Sequence, residues 1–383
     1  MKIVHLCLSA VFSDGFSYQE NILPKYHVKM GHDVSVITNL FTWSKEGKGV
    51  YYESPVTYMD ESGFKVIRLS YKKPLMKINR KIGGFDGLYS TLEAEKPDVI
   101  FTHGGGYTDA KYVVKYLKKH PATKLFADSH ADYINSATNF LSKYVLHKII
   151  WKHSSKVLEP FVVKWFGVTP QRCRFLKEMY DINPKIIDFL PMGVDDEAIP
   201  QDRETVREEV RKELGIAKDD LLIFTGGKIN KAKRLHKTIE ALEMIHDDRI
   251  HLVICGVLDQ DMEYLKDKFA NVNAHYLGWC DADRVMDCMV ASDLACFPGT
   301  HSTLWEQSVG VGIPAIFNNW VEMEHVNVCG NAILLNGNNV TELSDAISSM
   351  FSIENYSTYL KNAKTASDLF LYSRIAEKAI GIE

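Results

Sequence analysis

The sequence predicts an α/β protein made of two Rossmann-like domains, each an open, doubly wound parallel sheet. Two observations support this prediction. The 383 residues exceed what one hydrophobic core usually organises. Short apolar strand patterns also alternate with amphipathic helix patterns along both halves of the chain, as they do in parallel sheets covered on both faces.

The first half opens with the strand pattern KIVHLCLSA, which is followed by a polar loop containing Gly15 and the helical pattern NILPKYHVKMG. His5 interrupts the apolar start and no small-residue cleavage pattern follows, so we interpret this stretch as a buried strand and not as a signal peptide. Further strands are predicted at GHDVSVITN, PDVIFTH, KLFADS and KIIDFLP, with helices at DAKYVVKYLKKH and over 137–157.

The composition becomes polar and charged after residue 191, which predicts a domain boundary near residue 197. The second domain, 198–367, has strand patterns at LLIFTG, HLVICG, VNAHYLG, LACFPG and PAIFNN. A last helix, about 368–383, is expected to pack back on the first domain. Ligands bind beyond the carboxyl ends of strands in such sheets, so a small-molecule site is expected in a cleft between the two domains.

Charge is distributed unevenly between the halves. Residues 1–200 contain 27 basic and 21 acidic residues, a net charge of +6, whereas the remainder has −10 and the whole chain −4. The densest basic segment, 71–81, includes Lys72 and Lys73 and favours an anionic partner, although a solvated loop explains it equally well. The overall charge and the lack of a recognisable motif argue against nucleic-acid binding.

The cysteines and the hydropathy indicate the compartment. Seven cysteines are scattered without a C-x-x-C pair or a zinc spacing, which is typical of reduced thiols in a cytoplasmic protein. No apolar run reaches the ~18 residues that a membrane span needs. The Lys- and aromatic-rich stretch 141–167 is compatible either with a buried amphipathic helix or with a peripheral contact to an anionic membrane.

A basic loop follows the strand LLIFTG. Its glycines, among them Gly227, permit close backbone approach, and several cations at a strand end suit a diphosphate. A solvated basic turn is the alternative interpretation. The cations of this loop are Lys228, Lys231, Lys233 and Arg234.

The stretch FPGTHSTLWEQ places small polar residues between a strand and a predicted helix. Thr300 or Ser302 could cap the helix, or the free N–H groups of its first turn could bind a phosphate. Because this stretch and the basic loop both follow strands of the second domain, we favour a nucleotide diphosphate bound by the two together.

Two histidines follow strands of the first half, His103 before three glycines and His130 in ADSHAD. Each could donate to a sugar hydroxyl or phosphate oxygen, although a single histidine is more often structural. Gly15 permits close ligand approach. We interpret the paired acids as helix caps and therefore expect no metal site; these pairs are Asp259/Asp261 and Asp281/Asp283.

The order of these motifs resembles the retaining GT-B glycosyltransferases of family 4, which share the "glycosyl transferases group 1" C-terminal domain. The resemblance extends over nearly the whole chain. Its motifs are the Gly15 loop followed by GHDVSVIT, then ADSHAD, PMGVD, GGKINKAKR, YLGWCDADRVMDCMVASDLACFPG and WEQSVGVGIPAI.

The resemblance implies roles for individual residues. Lys228 and Lys233 occupy the positions that contact the donor diphosphate, and His130 matches the histidine near the donor sugar. Trp279 and Cys280 occupy the position whose backbone groups bind the nucleobase. The first domain is the acceptor side, where His103, Lys72 and Lys73 are our candidates.

One departure from the family pattern concerns its two glutamates, which lie eight positions apart. Aligned from Pro314, Gly299 stands at the first position and Gln307 at the second, with Glu306 one place away. Gln307 or Glu306 is expected to hold the ribose. Without a first glutamate, the donor sugar would be contacted by Thr300, His301, Ser302 and Thr303.

The resemblance therefore implies a metal-independent retaining glycosyltransferase without a cofactor. It would use a UDP- or GDP-sugar and a saccharide or lipid-linked acceptor, in bacterial surface polysaccharide synthesis. Two alternatives are a nucleotide-sugar epimerase of the same architecture and a non-catalytic relative in a polysaccharide assembly complex.

Overall fold

The computed structural model describes residues 1–44, 48–73, 76–320, 322–337 and 339–382. Two compact units divide the chain: unit 1 comprises Met1–Pro191 and Ile375–Glu383, and unit 2 comprises Met192–Arg374. The first division falls six residues before the boundary predicted at 197. Each unit contains a largely parallel sheet with helices between its strands, which confirms the predicted fold class.

Unit 1 contains ten strands and six α-helices among its described residues before Pro191. The strands are β1 (Lys2–Cys7), β2 (Asp33–Asn39), β3 (Phe41–Trp43), β4 (Gly49–Tyr51), β5 (Val56–Met59), β6 (Lys65–Leu69), β7 (Val99–His103), β8 (Lys124–Ser129), β9 (Val162–Gly167) and β10 (Ile187–Phe189). The helices are α1 (Gln19–Lys29), α2 (Met76–Ile82), α3 (Leu88–Glu95), α4 (Ala110–Lys119), α5 (Lys152–Leu158) and α6 (Pro170–Met179).

Eight of these strands form one sheet in the order β10-β9-β8-β7-β1-β2-β6-β5, while β3 and β4 pair separately. All neighbours are parallel except β5 with β6. The strand order reverses between β1 and β7, so the loops after these two strands, with Gly15 and the glycines at 104–106, diverge at the switch point of the sheet.

Unit 2 contains six strands, and its helices include the exposed one predicted after the boundary. The strands are β11 (Leu221–Gly226), β12 (Ile250–Cys255), β13 (Ala274–Gly278), β14 (Leu294–Phe297), β15 (Ala315–Asn318) and β16 (Ala332–Leu335). The helices are α7 (Arg203–Glu213), α8 (Leu235–Ile245), α9 (Lys266–Phe269), α10 (Ala282–Ala291), α11 (Leu304–Val311), α12 (Val340–Ser349), α13 (Ile353–Ser367) and α14 (Tyr372–Ala379), the last of which continues into unit 1.

The sheet of unit 2 is wholly parallel in the order β13-β12-β11-β14-β15-β16. Alternate residues of β11 point to opposite faces, Leu222 and Phe224 into one apolar cluster and Leu221 and Ile223 into another. The order reverses between β11 and β14, which pair directly. Ligands of doubly wound sheets bind at such a switch point, and here it lies between the basic loop and the FPGTHST stretch.

The C-terminal helix α14 belongs to unit 1 from Ile375 onwards, whereas 368–374 belong to unit 2. His27 Nε2 of α1 donates to the carbonyl of Ala376 at 2.9 Å. The carbonyl of Ala376 is among the last four of α14, which have no partner within the helix, so the histidine satisfies it.

The amphipathic run predicted over 137–157 is helical from residue 141. Leu141–Trp151 is a π-helix that continues as α5, and the Asn139 side chain accepts from the Ser142 N–H at 2.9 Å at its start. Within 141–151 only His147 is fully buried; Trp151 packs partly buried against the core of unit 1, whereas Leu141, Tyr144, Val145 and Ile149 are exposed. No helix within the described residues is long and apolar enough to cross a membrane.

Candidate functional site

The loop after β11 is built on two glycines. Gly227 adopts φ +100°, a conformation that other residues rarely take, and its N–H donates to the carbonyl of Cys255 at the end of β12. The Asn230 side chain then accepts from the N–H groups of Ala232 (3.0 Å) and Lys233 (3.3 Å). This Asx turn fixes the short 3₁₀ segment Lys231–Lys233.

Lys233 connects this loop to the one after β14. Its Nζ donates to the carbonyls of Thr300 (2.9 Å) and His301 (2.8 Å). Burial lowers the pKa of Lys233 to about 8, because the ammonium loses the water around it. Arg234 Nη1 makes similar contacts, to the carbonyl of Pro298 (3.1 Å) and to Asn318 Oδ1 (3.3 Å).

A small recess of about 10 Å³ lies where β11 and β14 end, and Thr225, Lys233 and Thr300 are among the residues that line it. Lys228 differs from Lys233, since its side chain is 76% exposed and its ammonium lies 3.7 Å from Asp259 Oδ1. The two lysines of this loop therefore differ: backbone carbonyls hold the Lys233 ammonium in place, whereas the Lys228 side chain extends into solvent.

Gly299 explains the departure from the two-glutamate pattern. A Cβ at this position would lie 2.4 Å from the carbonyl oxygens of Ala232 and Lys233, because the basic loop packs directly against it. The Thr300 N–H also donates to Ala232 O at 3.0 Å. A glutamate cannot occupy position 299 without moving this backbone.

Helix α11 begins without a side-chain cap within the described part of the chain. The residue before it, Thr303, makes no capping hydrogen bond. Ser302 Oγ is buried and has no hydrogen-bond partner among the described residues. The capping interpretation of this stretch is therefore wrong for the side chains. The Trp305 N–H donates to the Ser302 carbonyl at 3.0 Å, and the helix dipole of α11 still favours an anion at this end.

Glu306 lies inside unit 2 and does not face a ligand. Its carboxylate is fully buried, and its Oε1 accepts from His301 Nε2 (2.7 Å) and His325 Nε2 (2.9 Å). Although burial opposes ionisation, the two histidines hold the pKa of Glu306 at about 2. This corrects the expectation that Glu306 contacts the ribose. Gln307, the alternative, is half-buried on the next position of α11.

His301, Glu306 and His325 are also the one group among the described residues with a potential metal-binding arrangement, since their ligand atoms lie within 4.8 Å of one another. Two imidazoles and a carboxylate are ligands that zinc accepts. The distances of 2.7 and 2.9 Å equal those of two N–H donors sharing one oxygen. The expected acidic pairs lie elsewhere, and Asp281 caps α10 by accepting from the Arg284 N–H.

The predicted base-binding residues follow β13. Gly278 ends that strand with φ +69°, Trp279 is 72% exposed and Cys280 is half-buried. They lie at the same carboxyl edge of the sheet as the recess, two strands away from β11.

Unit 1 corrects one expected ligand contact. His103 is buried, and its two ring nitrogens bind His5 Nδ1 (3.0 Å) and Asp128 Oδ2 (3.0 Å), so it does not reach an acceptor. His130 remains 33% exposed with Nε2 3.6 Å from Asp128 Oδ2. Burial opposes its charge, but Asp128 raises the pKa of His130 above its ordinary value.

The other expected residues of unit 1 differ in accessibility. Gly15 has φ +74° and open space where a Cβ would be. Lys72 is taken up by an ion pair, since its Nζ donates to both carboxylate oxygens of Asp109 at 2.5 and 2.7 Å, whereas Lys73 is exposed. Of the predicted basic segment 71–81, Pro74 and Leu75 lie outside the described residues.

Sequence reasoning missed three contributors to these arrangements. Asn230 had a signal, because an Asn side chain in a loop readily accepts from the backbone two residues further on, in an Asx turn. Asp128 and His325 had none, since their partners are 25 and 19 residues away, at His103 and Glu306.

The two Rossmann-like units define a protein with the GT-B fold. Residues 206–367, most of unit 2, match the family model described as Glycosyl transferases group 1. No curated protein matches the sequence.

Solved structures agree in fold over almost the full length. The Anabaena protein HepE in complex with UDP has a TM-score of 0.67 at 16% identity, covering 99% of this chain and 98% of that one. A glycosyltransferase from Rickettsia africae has a TM-score of 0.68 at 16% identity, with 100% and 97% covered. WaaG, a glycosyltransferase involved in lipopolysaccharide biosynthesis, has 0.64 at 15%, with 99% and 100% covered. These structures show that the chain shares the GT-B fold, and unit 2 is similar to the Glycosyl transferases group 1 domain.

Proposed function

We propose that this protein is a glycosyltransferase that moves a sugar from a nucleotide-diphosphate sugar to a hydroxyl group of an acceptor. The observation that carries the proposal is the ammonium of Lys233, held beside the uncapped N-terminus of α11 at the switch point of unit 2. Both groups are positive, and they belong to the segment that matches the Glycosyl transferases group 1 domain.

The chemical role of this arrangement is to stabilise the departing diphosphate. Negative charge grows on the bridging oxygen as the glycosidic bond of the donor breaks, and preorganised donors lower the energy of that state. Lys233 and the start of α11 at residues 300–303 would meet this charge through the N–H groups of 301–303, since the Thr300 N–H donates to the Ala232 carbonyl. Lys228 would add an exposed cation. Since these groups supply the positive charge themselves, we propose transfer without a metal or other cofactor.

The donor would extend from this point in two directions. The sugar would contact Thr300, His301, Ser302 and Thr303, with Gly227, Gly15 and His130 approaching the diphosphate and sugar. Gln307 would hold the ribose, and backbone groups of Trp279 and Cys280 the base. UDP is our first choice of nucleotide because the HepE structure contains it. The choice of UDP as the nucleotide does not specify which sugar is transferred.

Retention of the anomeric configuration is part of the proposal. Gly299 leaves no room for a carboxylate, and Glu306 Oε1 is engaged by two histidines. We therefore propose a same-face reaction, in which the acceptor attacks on the side that the diphosphate leaves. An oxygen of the leaving diphosphate would take the acceptor proton.

The acceptor is proposed to be a saccharide or lipid-linked saccharide at an anionic membrane surface in surface polysaccharide synthesis. Five apolar side chains on or beside the π-helix are exposed, the most open being Phe140 (74%) and Leu141 (65%). Lys143 and Lys148 lie among them, a combination suited to the headgroup region of a bilayer. The exposed set is Phe140, Leu141, Tyr144, Val145 and Ile149.

Sedimentation with vesicles containing anionic lipid tests the membrane contact. The wild type should pellet at low salt, and a Phe140→Glu/Leu141→Glu variant should stay in the supernatant. Ile353→Glu is the control, since Ile353 is 85% exposed on unit 2. A wild type that does not pellet at low salt would favour a free saccharide acceptor.

A non-catalytic relative is the second candidate, and the observation that favours it is the lack of a carboxylate at position 299. A thermal-shift titration with UDP, GDP, ADP, CMP and their sugar conjugates, with and without EDTA, separates the candidates. At a hundred times the Kd, a ligand adds about 2.7 kcal/mol to stability.

A selective shift that EDTA leaves unchanged supports the proposed transferase and names its base. No shift with any nucleotide rejects it in favour of the non-catalytic relative. NMR of the donor incubated alone then tests for epimerisation, because an epimerase needs no acceptor and would form the epimer.

A further inference from the structure

A continuous chain of buried histidines runs through unit 1. His27 Nδ1 and His5 Nε2 are 2.9 Å apart, His5 Nδ1 and His103 Nε2 are 3.0 Å apart, and His103 Nδ1 lies 3.0 Å from Asp128 Oδ2. The other nitrogen of His27 faces the carbonyl of Ala376 at 2.9 Å. All three rings are at most 1% exposed, so water does not replace any of these partners.

Both ends of the chain require a proton from a histidine. The carbonyl of Ala376 can only accept, and so can an ionised Asp128. The chain therefore has four hydrogen bonds that need four ring N–H groups, whereas three neutral imidazoles carry only three.

We propose that this chain holds one excess proton, placed on His103 beside Asp128, and that His5, His27 and His103 are positioning residues that set the protonation of His130. The part concerning His130 rests on the proposed function, in which His130 approaches the donor. The excess proton itself does not depend on any activity.

The location on His103 follows from charge. Asp128 is fully buried, and its Oδ1 also accepts from the Gly104 N–H at 3.0 Å. Burial alone would favour the neutral acid, but His103 and His130 lower the pKa of Asp128 far below its ordinary value. Burial lowers the pKa of His5 and, to about 4, that of His27, which disfavours charge at the far end of the chain.

Asp128 links the chain to His130, since its Oδ2 lies 3.0 Å from His103 and 3.6 Å from His130. A cation on His103 partly neutralises Asp128 and makes protonation of His130 less favourable. If His130 gains a proton, the excess proton can move to His5 and then to His27. In each step an N–H bond breaks on one ring and forms on the next, and all four hydrogen bonds are kept.

Other charged or titratable groups act on the same residues. Glu20 raises and Arg172 lowers the pKa of His130, and Arg172 is itself paired with Asp132. His32 stands beside His27, and Asp128 contributes to raising the pKa of the buried Cys7 thiol, for which burial is the main cause. None of these groups is replaced in the variants below, so their contributions remain constant.

Two substitutions of His27 distinguish the effect of losing the excess proton from the effect of disturbing the packing of the core. In His27→Gln the amide can donate to the carbonyl of Ala376 and accept from His5. Three hydrogen bonds then still need a ring N–H, and only two histidines supply them, so the excess proton stays. In His27→Phe the contact with Ala376 is gone, and two neutral histidines satisfy the two bonds that remain. The second variant should therefore lose the excess proton.

The measurement is ¹⁵N and ¹³C NMR of histidine-labelled full-length protein between pH 6 and 8. The wild type and His27→Gln should show His103 with both ring nitrogens protonated and His27, where present, as the Nε2–H tautomer. In His27→Phe, His103 should be neutral with its proton on Nδ1, and the proton affinity of His130 should rise about tenfold.

Three neutral rings in the wild type would overturn the proposal. Identical His130 titrations in His27→Phe and His27→Gln, with the imidazolium present in the wild type, would overturn the positioning role. Failure of the proposed function is distinguishable, because a protein that binds no nucleotide would still give the proton count by NMR.

Discussion

Replacing Gly299 by alanine should destabilise unit 2 and weaken donor binding together. The new Cβ would lie 2.4 Å from two carbonyl oxygens, of Ala232 and Lys233, and ordinary contact begins at 3.4 Å. The basic loop therefore has to move by about 1 Å, the difference between these distances. The glycine is not in a left-handed conformation, so the effect is steric.

The size of the effect follows from what the movement breaks. Overpacking of this kind costs about 1–3 kcal/mol. The hydrogen bond from Thr300 N–H to Ala232 O, 3.0 Å long, would stretch beyond bonding range and adds about 1 kcal/mol. We expect a loss of about 2–4 kcal/mol in the free energy of unfolding. Since Lys233 moves with the loop, affinity for the nucleotide sugar should fall about tenfold or more.

Urea denaturation followed by tryptophan fluorescence measures the stability, and calorimetric titration with the nucleotide measures the affinity. Gly106→Ala is the matched control, because its Cβ would make ordinary contacts of 3.4 Å with Trp151 and 3.6 Å with Ser9. It should change stability by less than about 0.5 kcal/mol. An equally small change for Gly299→Ala, with unaltered affinity, would refute the steric argument.

Three further outcomes are expected. Lys233→Ala should lower kcat about 10²-fold, and Lys228→Ala should lower it much less, since Lys228 is 76% exposed. Equal decreases of kcat in steady-state kinetics would contradict the different roles proposed for the two lysines. The pKa of Lys233 is about 8, so its side chain is an ammonium below that pH and a neutral amine above it. The affinity for UDP, measured by calorimetry, should therefore fall from pH 7 to 9 in the wild type and stay constant in Lys233→Arg. A constant affinity in the wild type would exclude a contact between Lys233 and the diphosphate. The pKa of Glu306 is lowered from 4.5 to about 2, so the ionised carboxylate stabilises the fold above pH 4.5, and this stabilisation is lost as the pH falls towards 2. In acid unfolding followed by circular dichroism, Glu306→Gln should therefore lose less stability over this pH range than the wild type. Parallel curves would show that the contacts with the two histidines do not stabilise the fold.

Local sequence patterns predicted the strands and the position of their loops well. The runs LLIFTG and LACFPG became β11 and β14 because short apolar runs flanked by glycine and polar residues suit buried parallel strands. The loops beyond them therefore contain Lys233 and Thr300, as expected. Whether these loops touch depends on strand order, which no local pattern specifies; in this sheet β11 and β14 are neighbours although β12 and β13 lie between them in the sequence.

The roles of individual histidines and acids were beyond sequence reasoning. His103 ends β7 and His130 directly follows β8, yet His103 is buried in a hydrogen-bonded chain and His130 is partly exposed. Glu306 was expected at a ribose, but it lies on the inward face of α11 between two histidines. Side-chain direction at a helix start depends on the turn before it, and here that turn is fixed by Lys233 from another loop.

The sequence by itself determined two doubly wound domains, the strand ends that hold basic and small polar residues, and the lack of a glutamate at position 299. Only the tertiary structure decided that no room exists for that glutamate, that Lys233 is held by carbonyls while Lys228 is exposed, and that three histidines form a hydrogen-bonded chain. The reason is sequence distance. His27 and the carbonyl of Ala376 are 349 residues apart and meet only because the C-terminal helix joins unit 1. A hydrogen bond between residues so far apart in the sequence forms only when whole helices and strands pack together, and no local sequence pattern specifies that packing.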